Sequence, residues 1–277
     1  MMEVLKLTRF EHAVLLALAV LVAEIITLGT LPPLEYYIIL SLLVPMFSEM
    51  GSFALNDYFD IETDKLNKKN RPLVKGTISP AFAFRFSILM LVLSTVLAYF
   101  INNIAFVIAL FFNIAAVTYN WKLKDMPLVG NIYIALTMAI PFIFGNFVVS
   151  GDLSVVVLVL AVLGFVAGLA REIIKSVQDM KGDMKARKSK TLPIVIGERP
   201  SLLVAIGLYL LFIPLSILPF SFGLCASSIS LVLIVAADGL IAVICYKILT
   251  KRAFKFARNM SLIAFLLGML GLLLAAL

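Results

Sequence analysis

The chain has 277 residues, of which 62% are hydrophobic and only 14% are charged, and its mean hydropathy is +1.10. These values lie outside the range of soluble globular proteins, so we expect a membrane protein. The net charge of +7 is interpreted as membrane topology and attraction to anionic lipid, and not as a nucleic-acid-binding patch.

Long uncharged runs divide the chain into spanning segments. A transmembrane helix needs about 20 apolar residues, and turn signals at Asn102-Asn103 and Ser221–Gly223 divide the two longest runs. The sequence therefore predicts an all-α, polytopic fold with nine transmembrane helices around a central cavity and a single domain over residues 1–277. We expect the helices at about 12–30, 36–56, 81–100, 104–121, 128–149, 153–172, 200–220, 226–248 and 257–277.

Basic residues indicate the orientation of these helices. With nine spans, all 23 lysine and arginine residues fall in connections on one side, and the other side carries only Glu35 and Asp152. Because positive loops stay in the cytoplasm, we expect a cytoplasmic N-terminus and polar cytoplasmic loops at about 57–80 and 173–199. The protein is predicted to lie in the cell membrane.

The first of these loops begins with a cluster of acids, "NDYFDIETD", at residues 56–64. Asn56, Asp60 and Asp64 are spaced four residues apart, which places them on one face of a helix. Glu49 precedes Asn56 by seven residues and lies within about 20° of it on a helical wheel. We therefore expect Glu49 to face the same cavity.

The second loop has a similar layout and begins with "QDMKGD", residues 178–183. Asp179 and Asp183 again follow an amide at the cytoplasmic end of a helix, and "LPIVIG" after them matches "RPLVKG" after the first cluster. This pattern indicates a diverged internal repeat. It predicts two carboxylate arrays on one membrane face, able to oppose each other.

The chemistry expected of these arrays follows from their charge. Five aspartates in an apolar setting need compensation, and a hard divalent cation such as Mg²⁺ takes one or two carboxylates together with phosphate oxygens. Nearby bases suit the rest of a phosphate group. A metal, a diphosphate and an oily cavity together favour an isoprenoid diphosphate as donor. The alternative for the acids is a set of solvated helix caps at the membrane surface, and for the bases it is anchoring on the positive side.

Both acid motifs resemble those of the UbiA superfamily of intramembrane prenyltransferases. Asn56-Asp57-x-x-Asp60-x-x-x-Asp64 is similar to its NDxxDxxxD motif, and Asp179-x-x-x-Asp183 is similar to its DxxxD motif, after helices two and six. The family also has a tyrosine and a lysine after helix four, usually spaced YxxxK. Here Tyr119 is followed by Lys122 and Lys124, which leaves both lysines as candidates.

The resemblance implies a Mg²⁺-dependent enzyme that ionises an allylic diphosphate and transfers the prenyl cation to a lipophilic acceptor. The expected metal ligands are Asn56, Asp57, Asp60, Asp64, Asp179 and Asp183. The expected catalytic residues are Asp60, Asp64, Asp179, Asp183 and Lys122. The expected substrate-binding residues are Glu49, Asn56, Arg71, Lys75, Tyr119, Lys124, Arg171 and Lys175.

The acceptor remains open at this point. The stretches around both motifs look most like the archaeal branch that makes digeranylgeranylglyceryl phosphate, with geranylgeranyl diphosphate as donor and geranylgeranylglyceryl phosphate as acceptor. An aromatic acceptor, as in quinone or haem biosynthesis, is the alternative, and a secondary transporter is the alternative of another class. We expect membrane lipid as a partner, no nucleic acid, and no required protein partner.

Overall fold

The structure is a computed structural model that describes residues 2–187 and 190–277. The described part is helical with turns and contains no strand, which confirms the all-α prediction. Its helices, in chain order, are α1 Met2–Thr8, α2 Phe10–Leu28, α3 Tyr36–Phe59, α4 Ile61–Leu66, α5 Pro72–Lys75, α6 Pro80–Tyr99, α7 Asn103–Trp121, α8 Val129–Val149, α9 Val155–Arg187, α10 Leu192–Ile196, α11 Glu198–Leu215, α12 Leu218–Ser221, α13 Ser228–Lys251 and α14 Phe254–Ala276.

Nine helices in the described residues are long and apolar enough to cross a membrane, which confirms the predicted number. They are α2, α3, α6, α7, α8, α9, α11 extended by α12, α13 and α14. Large apolar side chains are exposed along them, such as Val92 in α6, Phe111 in α7 and Val235 in α13. An exposed apolar surface of this kind suits contact with lipid.

The two connections predicted as polar loops, at about 57–80 and 173–199, contain helices. The loop expected at 173–199 is mostly helix, because α9 continues to Arg187 and α10 follows from Leu192; residues 188 and 189 lie outside the described residues. The loop expected at 57–80 contains α4 and α5. Charged side chains end the membrane-crossing part of a helix but not the helix, since lysine, arginine and glutamate are good helix formers in water.

The chain divides into two compact units. As far as the residues are described, the first consists of Met1–Leu18, Pro33–Gly130 and Asp179–Thr191, and the second of Ala19–Pro32, Asn131–Gln178 and Leu192–Leu277. The two aspartate motifs, Asn56–Asp64 and Asp179–Asp183, both belong to the first unit.

Close contacts and buried polar groups hold the first unit together. Gly51 in α3 lets α6 approach, because a Cβ at this position would lie 2.9 Å from Leu91. Asn113 of α7 joins these helices: its Oδ1 accepts a hydrogen bond from Ser48, and its Nδ2 donates to Thr95. In a membrane such polar side chains fix the helix positions, because water is not there to replace the bond.

The second unit has a larger apolar core. Tyr209, Ile173 and Ile241 are fully buried at its centre. Asp238, an acid in the middle of α13, accepts a hydrogen bond at 2.8 Å from Ser216, the residue that caps α11. This contact gives the intramembrane acid a structural partner within the unit.

Candidate active site

The first aspartate motif lies where α3 breaks into α4. The break is at Asp60, whose φ of −98° and ψ of 6° depart from helical values. Hydrogen bonds from Asp60 N to Asn56 O and from Asp64 N to Asp60 O nevertheless continue the helical pattern across it. The three residues therefore keep the four-residue register that the sequence predicts.

Asn56 is held by a residue that the sequence analysis did not identify. Its Nδ2 donates a hydrogen bond to Asn120 Oδ1 at 3.1 Å, and Asn120 is itself fixed by a bond from its Nδ2 to Ala116 O in the preceding turn of α7. Because the side-chain nitrogen Nδ2 of Asn56 donates to Asn120, the side-chain oxygen Oδ1 of Asn56 is the atom that can serve as a metal ligand. Asn120 follows Tyr119 directly, and both side chains are buried.

Asp57 faces arginines. Its Oδ1 lies 3.2 Å from Arg9 Nη2 and 3.8 Å from Arg71 Nε, and the side chain is fully buried. Arg9 joins α1 to α2 with a φ of +45°, and its guanidinium lies 4.0 Å from the centre of the Phe53 ring. A buried carboxylate between two guanidinium groups is already neutralised, so the arrangement favours Asp57 as a counter-ion.

Lys69 connects the two motifs. Its Nζ lies 3.2 Å from Asp64 Oδ1 and 3.0 Å from Asp179 Oδ2. Burial alone would lower the pKa of the Lys69 ammonium, but the carboxylates of Asp179 and Asp64 raise it above its usual value. Arg71 Nε lies 3.8 Å from the other oxygen of Asp64. The predicted opposition of the two carboxylate arrays is therefore seen in the contacts of one lysine.

The local backbone explains why Lys69 points back at Asp64. Helix α4 ends in a Schellman motif, in which Lys69 N donates to Asp64 O and Lys68 N donates to Lys65 O. Lys68 takes the left-handed conformation that this motif requires, with a φ of +51°. Sequence reasoning treated Lys69 as a topology charge, because nothing short of the turn geometry distinguishes it from its neighbours Lys65 and Lys68.

The second motif lies near the C-terminal end of α9. Gly182, between Asp179 and Asp183, contacts the α4 cap so closely that a Cβ at this position would overlap the Asn67 carboxamide. A larger residue would require the Asn67 side chain to turn away. The contact fixes the end of α4 against the turn of helix that carries both aspartates.

Asp60 pairs with the second of the two candidate lysines. Lys124 Nζ lies 2.6 Å from Asp60 Oδ1, and its side chain is only 8% exposed. Helix α7 ends at Trp121, and a short 3₁₀ turn over Leu123–Asp125 follows. This turn brings Lys124 to the acids, whereas Lys122 is exposed.

The remaining predicted residues have different surroundings. Arg171 and Lys175 belong to the second unit, where Arg171 Nε donates to Ser261 at 3.2 Å and Lys175 donates to Glu172 at 2.8 Å. Lys75 is exposed at the end of α5. Glu49 is half-buried in α3, two helical turns before Asn56.

The donor set suits a magnesium ion that also has a substrate. Among the described residues, no three acid, histidine or cysteine side chains converge closely enough to hold a metal ion. The contacts of Lys69 show, however, that carboxylates from both motifs reach one cation. Since Mg²⁺ binds through one or two carboxylates together with phosphate oxygens and water, this arrangement fits a metal shared with a diphosphate.

Comparison with known proteins agrees with the fold and with the family resemblance. The profile of the UbiA prenyltransferase family matches residues 13–267. The chain is 36% identical to the digeranylgeranylglyceryl phosphate synthase of Thermococcus kodakarensis over 79% of its own length and 78% of that protein. It is 31% identical to the synthase of Pyrococcus horikoshii over 96% of both chains.

Solved structures with the same architecture include one of a digeranylgeranylglyceryl phosphate synthase, with a TM-score of 0.74, 28% identity and coverage of 99% of this chain and 98% of that one. Another is a UbiA homologue from Archaeoglobus fulgidus bound to DMAPP and Mg²⁺, with a TM-score of 0.68, 22% identity and coverage of 98% and 99%. The fold and the matches define a multi-pass membrane prenyltransferase. The chain belongs to the UbiA prenyltransferase family.

Proposed function

We propose that this enzyme transfers a geranylgeranyl group from geranylgeranyl diphosphate to the hydroxyl group of geranylgeranylglyceryl phosphate. The observation that carries the proposal is the meeting of Asp64 and Asp179 on one cation, Lys69, because a metal–diphosphate site needs carboxylates from both motifs at one place. The similarity to digeranylgeranylglyceryl phosphate synthases supports this choice of donor and acceptor.

The reaction is a transfer through an allylic cation. The bond between the first prenyl carbon and the diphosphate oxygen breaks, and its electron pair leaves with the diphosphate. The acceptor oxygen then forms an ether bond to the carbon and loses its proton. Apolar helix surfaces favour this course, because water reaching the cation would convert it to an alcohol.

We assign Mg²⁺ as the cofactor. Its ligands would be Asn56, Asp60, Asp64, Asp179 and Asp183, and when bound it supplies positive charge that stabilises the departing diphosphate. The A. fulgidus homologue that binds Mg²⁺ and DMAPP supports this assignment. We leave Asp57 out of the proposed set, because its Oδ1 pairs with Arg9 and lies near Arg71.

Among the basic residues we assign Lys124 and Arg71 to the diphosphate. Lys124 forms an ion pair with Asp60 of the first motif, and Arg71 lies near Asp64. Both cations can therefore face a phosphate group bound at this motif. The exposed positions of Lys122 and Lys75 favour a lesser role for these two side chains. Asn120 positions Asn56.

The active site is proposed to face the cytoplasm. Helices α3, α7 and α9 all end at the acid motifs or at Lys124, and these ends fall on the side where the positive-inside rule places the basic connections. Residues of the opposite connections, such as Asp152, would lie outside. Labelling of cysteines introduced one at a time at Lys65 and Asp152, with Cys225 and Cys245 replaced by serine, tests this orientation in sealed cells, since only the outer one reacts with an impermeant reagent.

A transfer assay tests the proposed function. The purified protein is given Mg²⁺, labelled geranylgeranyl diphosphate and one acceptor at a time: geranylgeranylglyceryl phosphate, 4-hydroxybenzoate, dihydroxynaphthoate or haem. We expect transfer to the glyceryl phosphate lipid alone. Transfer to an aromatic acceptor or haem instead would show that the assigned acceptor is wrong.

Matched variants connect the activity to the site. Asp60→Asn removes a proposed ligand, and we expect it to lower kcat by about 10²-fold or more. Glu62→Gln removes an acid from the same segment that forms an exposed ion pair with Lys65. We expect this variant to retain activity, and equal activity of the two variants would contradict the site assignment.

A further inference from the structure

Lys69 occupies the place between the two motifs that the proposed function gives to a metal ion. Its ammonium lies 3.2 Å from Asp64 and 3.0 Å from Asp179, and the paired acids belong to different motifs. Magnesium binds carboxylate oxygens at about 2.0–2.1 Å. An ammonium and a magnesium ion on the same two oxygens would therefore lie only a few ångströms apart and would repel each other.

Lys69 is able to leave these oxygens. Its side chain is 25% exposed, and it lies outside the membrane-spanning helices on a flexible stem of four carbons. Lys124 differs: its side chain is 8% exposed and lies 5.5 Å from the Phe59 ring centre, beside Asp60. Of the two lysines on the motifs, Lys69 is the one that can turn into water.

The backbone around Lys69 does not depend on its ammonium. The Schellman bonds of α4 fix the turn, and Asn67 lies against Gly182 of the second motif. When the ammonium moves away, these contacts keep the end of α4 on α9. The two motifs therefore remain in place for a cation that replaces Lys69.

We propose that Lys69 competes with the divalent cation for the same two carboxylates. The Lys69 ammonium joins Asp64 to Asp179 by its own charge, and it thereby sets the magnesium concentration at which the metal replaces it. The inference rests on the proposed function for the assignment of both aspartates to the metal. It makes Lys69 a positioning residue whose removal tightens metal binding, which is the opposite of what removing a ligand does.

Metal binding without substrate tests this inference. The full-length protein in detergent is titrated with Mn²⁺, and free Mn²⁺ is followed by electron paramagnetic resonance; calorimetry with Mg²⁺ gives a second reading. We expect Lys69→Met to lower the dissociation constant on the order of fivefold, the change that about 1 kcal/mol produces. Lys69→Arg keeps the charge and should bind metal like the unchanged protein.

Lys65→Met is the matched control. Lys65 lies on the same short helix but pairs with the exposed Glu62, so this variant removes an equal charge without touching Asp64 or Asp179. Its metal affinity should remain unchanged. If Lys65→Met tightened binding as much as Lys69→Met, general electrostatics would account for the effect and the inference would be overturned.

Unchanged or weaker metal binding in Lys69→Met would also overturn it. Lys69→Gln serves as a second variant if Lys69→Met does not fold, with gel filtration and circular dichroism as the check of folding. Because no donor or acceptor is present, the result is independent of the transfer assay. An enzyme that fails to use the glyceryl phosphate lipid but shows tighter binding in Lys69→Met would refute the proposed function and support the role of Lys69.

Discussion

Lys124 Nζ lies 2.6 Å from Asp60 Oδ1, which joins the end of helix α7 to the first aspartate motif. The sequence leaves Lys122 and Lys124 as alternatives, and the structure brings only the second to this acid. We therefore expect Lys124→Met to lower kcat by about 10²-fold, because a fixed cation near the leaving diphosphate is lost. Steady-state kinetics with saturating Mg²⁺ measures the effect.

Lys122→Met is the comparison for this prediction. Lys122 is exposed and two residues away, so its loss should reduce kcat much less than the loss of Lys124. A larger effect at Lys122 would show that the loop after α7 rearranges when the diphosphate binds. The resting contact with Asp60 would then not identify the lysine that binds the diphosphate.

The ion pair between Arg9 and Asp57 leads to a prediction about stability. Both side chains are largely buried, with exposures of 14% and 0%. Removing one partner of such a pair leaves the other charge buried and costs about 3–5 kcal/mol. We expect Asp57→Leu to lower the unfolding temperature in detergent and to leave Mn²⁺ affinity nearly unchanged, since a counter-ion contributes no oxygen to the metal.

A double variant separates the counter-ion role from a ligand role. Arg9→Met combined with Asp57→Leu removes both charges and should recover most of the lost stability, because the two effects are coupled. A loss of metal affinity of tenfold or more in Asp57→Leu would instead restore Asp57 to the metal ligands. Circular dichroism melting curves and the metal titration together give the answer.

The parts of the molecule that the sequence predicts correctly are those that local pattern determines. The number of spans follows from apolar runs, and the register of Asn56, Asp60 and Asp64 follows from the helical period, which persists across the break at Asp60. The sixth span was predicted to end at about 172, whereas α9 continues to Arg187, because a change in polarity marks the membrane surface and not the end of a helix.

Contacts between distant segments are what the sequence does not reveal. Asn120 contacts Asn56 from another helix. Arg9 contacts Asp57 from the junction of α1 and α2, where its φ is positive. Lys69 contacts Asp179 from the cap of α4. Each depends on a side-chain direction that is set by tertiary packing or by one unusual backbone angle. In the sequence, nothing distinguishes these residues from ordinary polar side chains or from the basic residues that set the topology.

The contact of Gly182 with Asn67 predicts a sensitive position inside the second motif. A methyl group at Gly182 would overlap the Asn67 carboxamide, so Gly182→Ala must turn this side chain away and disturb the contact between the α4 cap and the helix that carries Asp179 and Asp183. We expect kcat to fall by about tenfold or more, since small misplacement of a catalytic group has effects of this size. The transfer assay measures it at saturating donor.

Gly207→Ala is the matched control for Gly182→Ala. Gly207 also lies within a helix, α11, but a Cβ there meets no atom within 4 Å. Alanine at this position should retain activity and stabilise the helix slightly. Equal loss of activity in both variants would indicate a general intolerance of helix substitutions and would remove the special role of Gly182.

Lys68 takes a left-handed conformation in the cap of α4, with a φ of +51°. Side chains other than glycine are strained there, so Lys68→Gly should stabilise the protein by up to about 1 kcal/mol, or roughly 2–4 °C in unfolding temperature. Lys68→Ala removes the charge but keeps the strain, and should show no such gain. If Lys68→Ala raised the unfolding temperature as much as Lys68→Gly, repulsion among neighbouring lysines and not the backbone angle would be the cause.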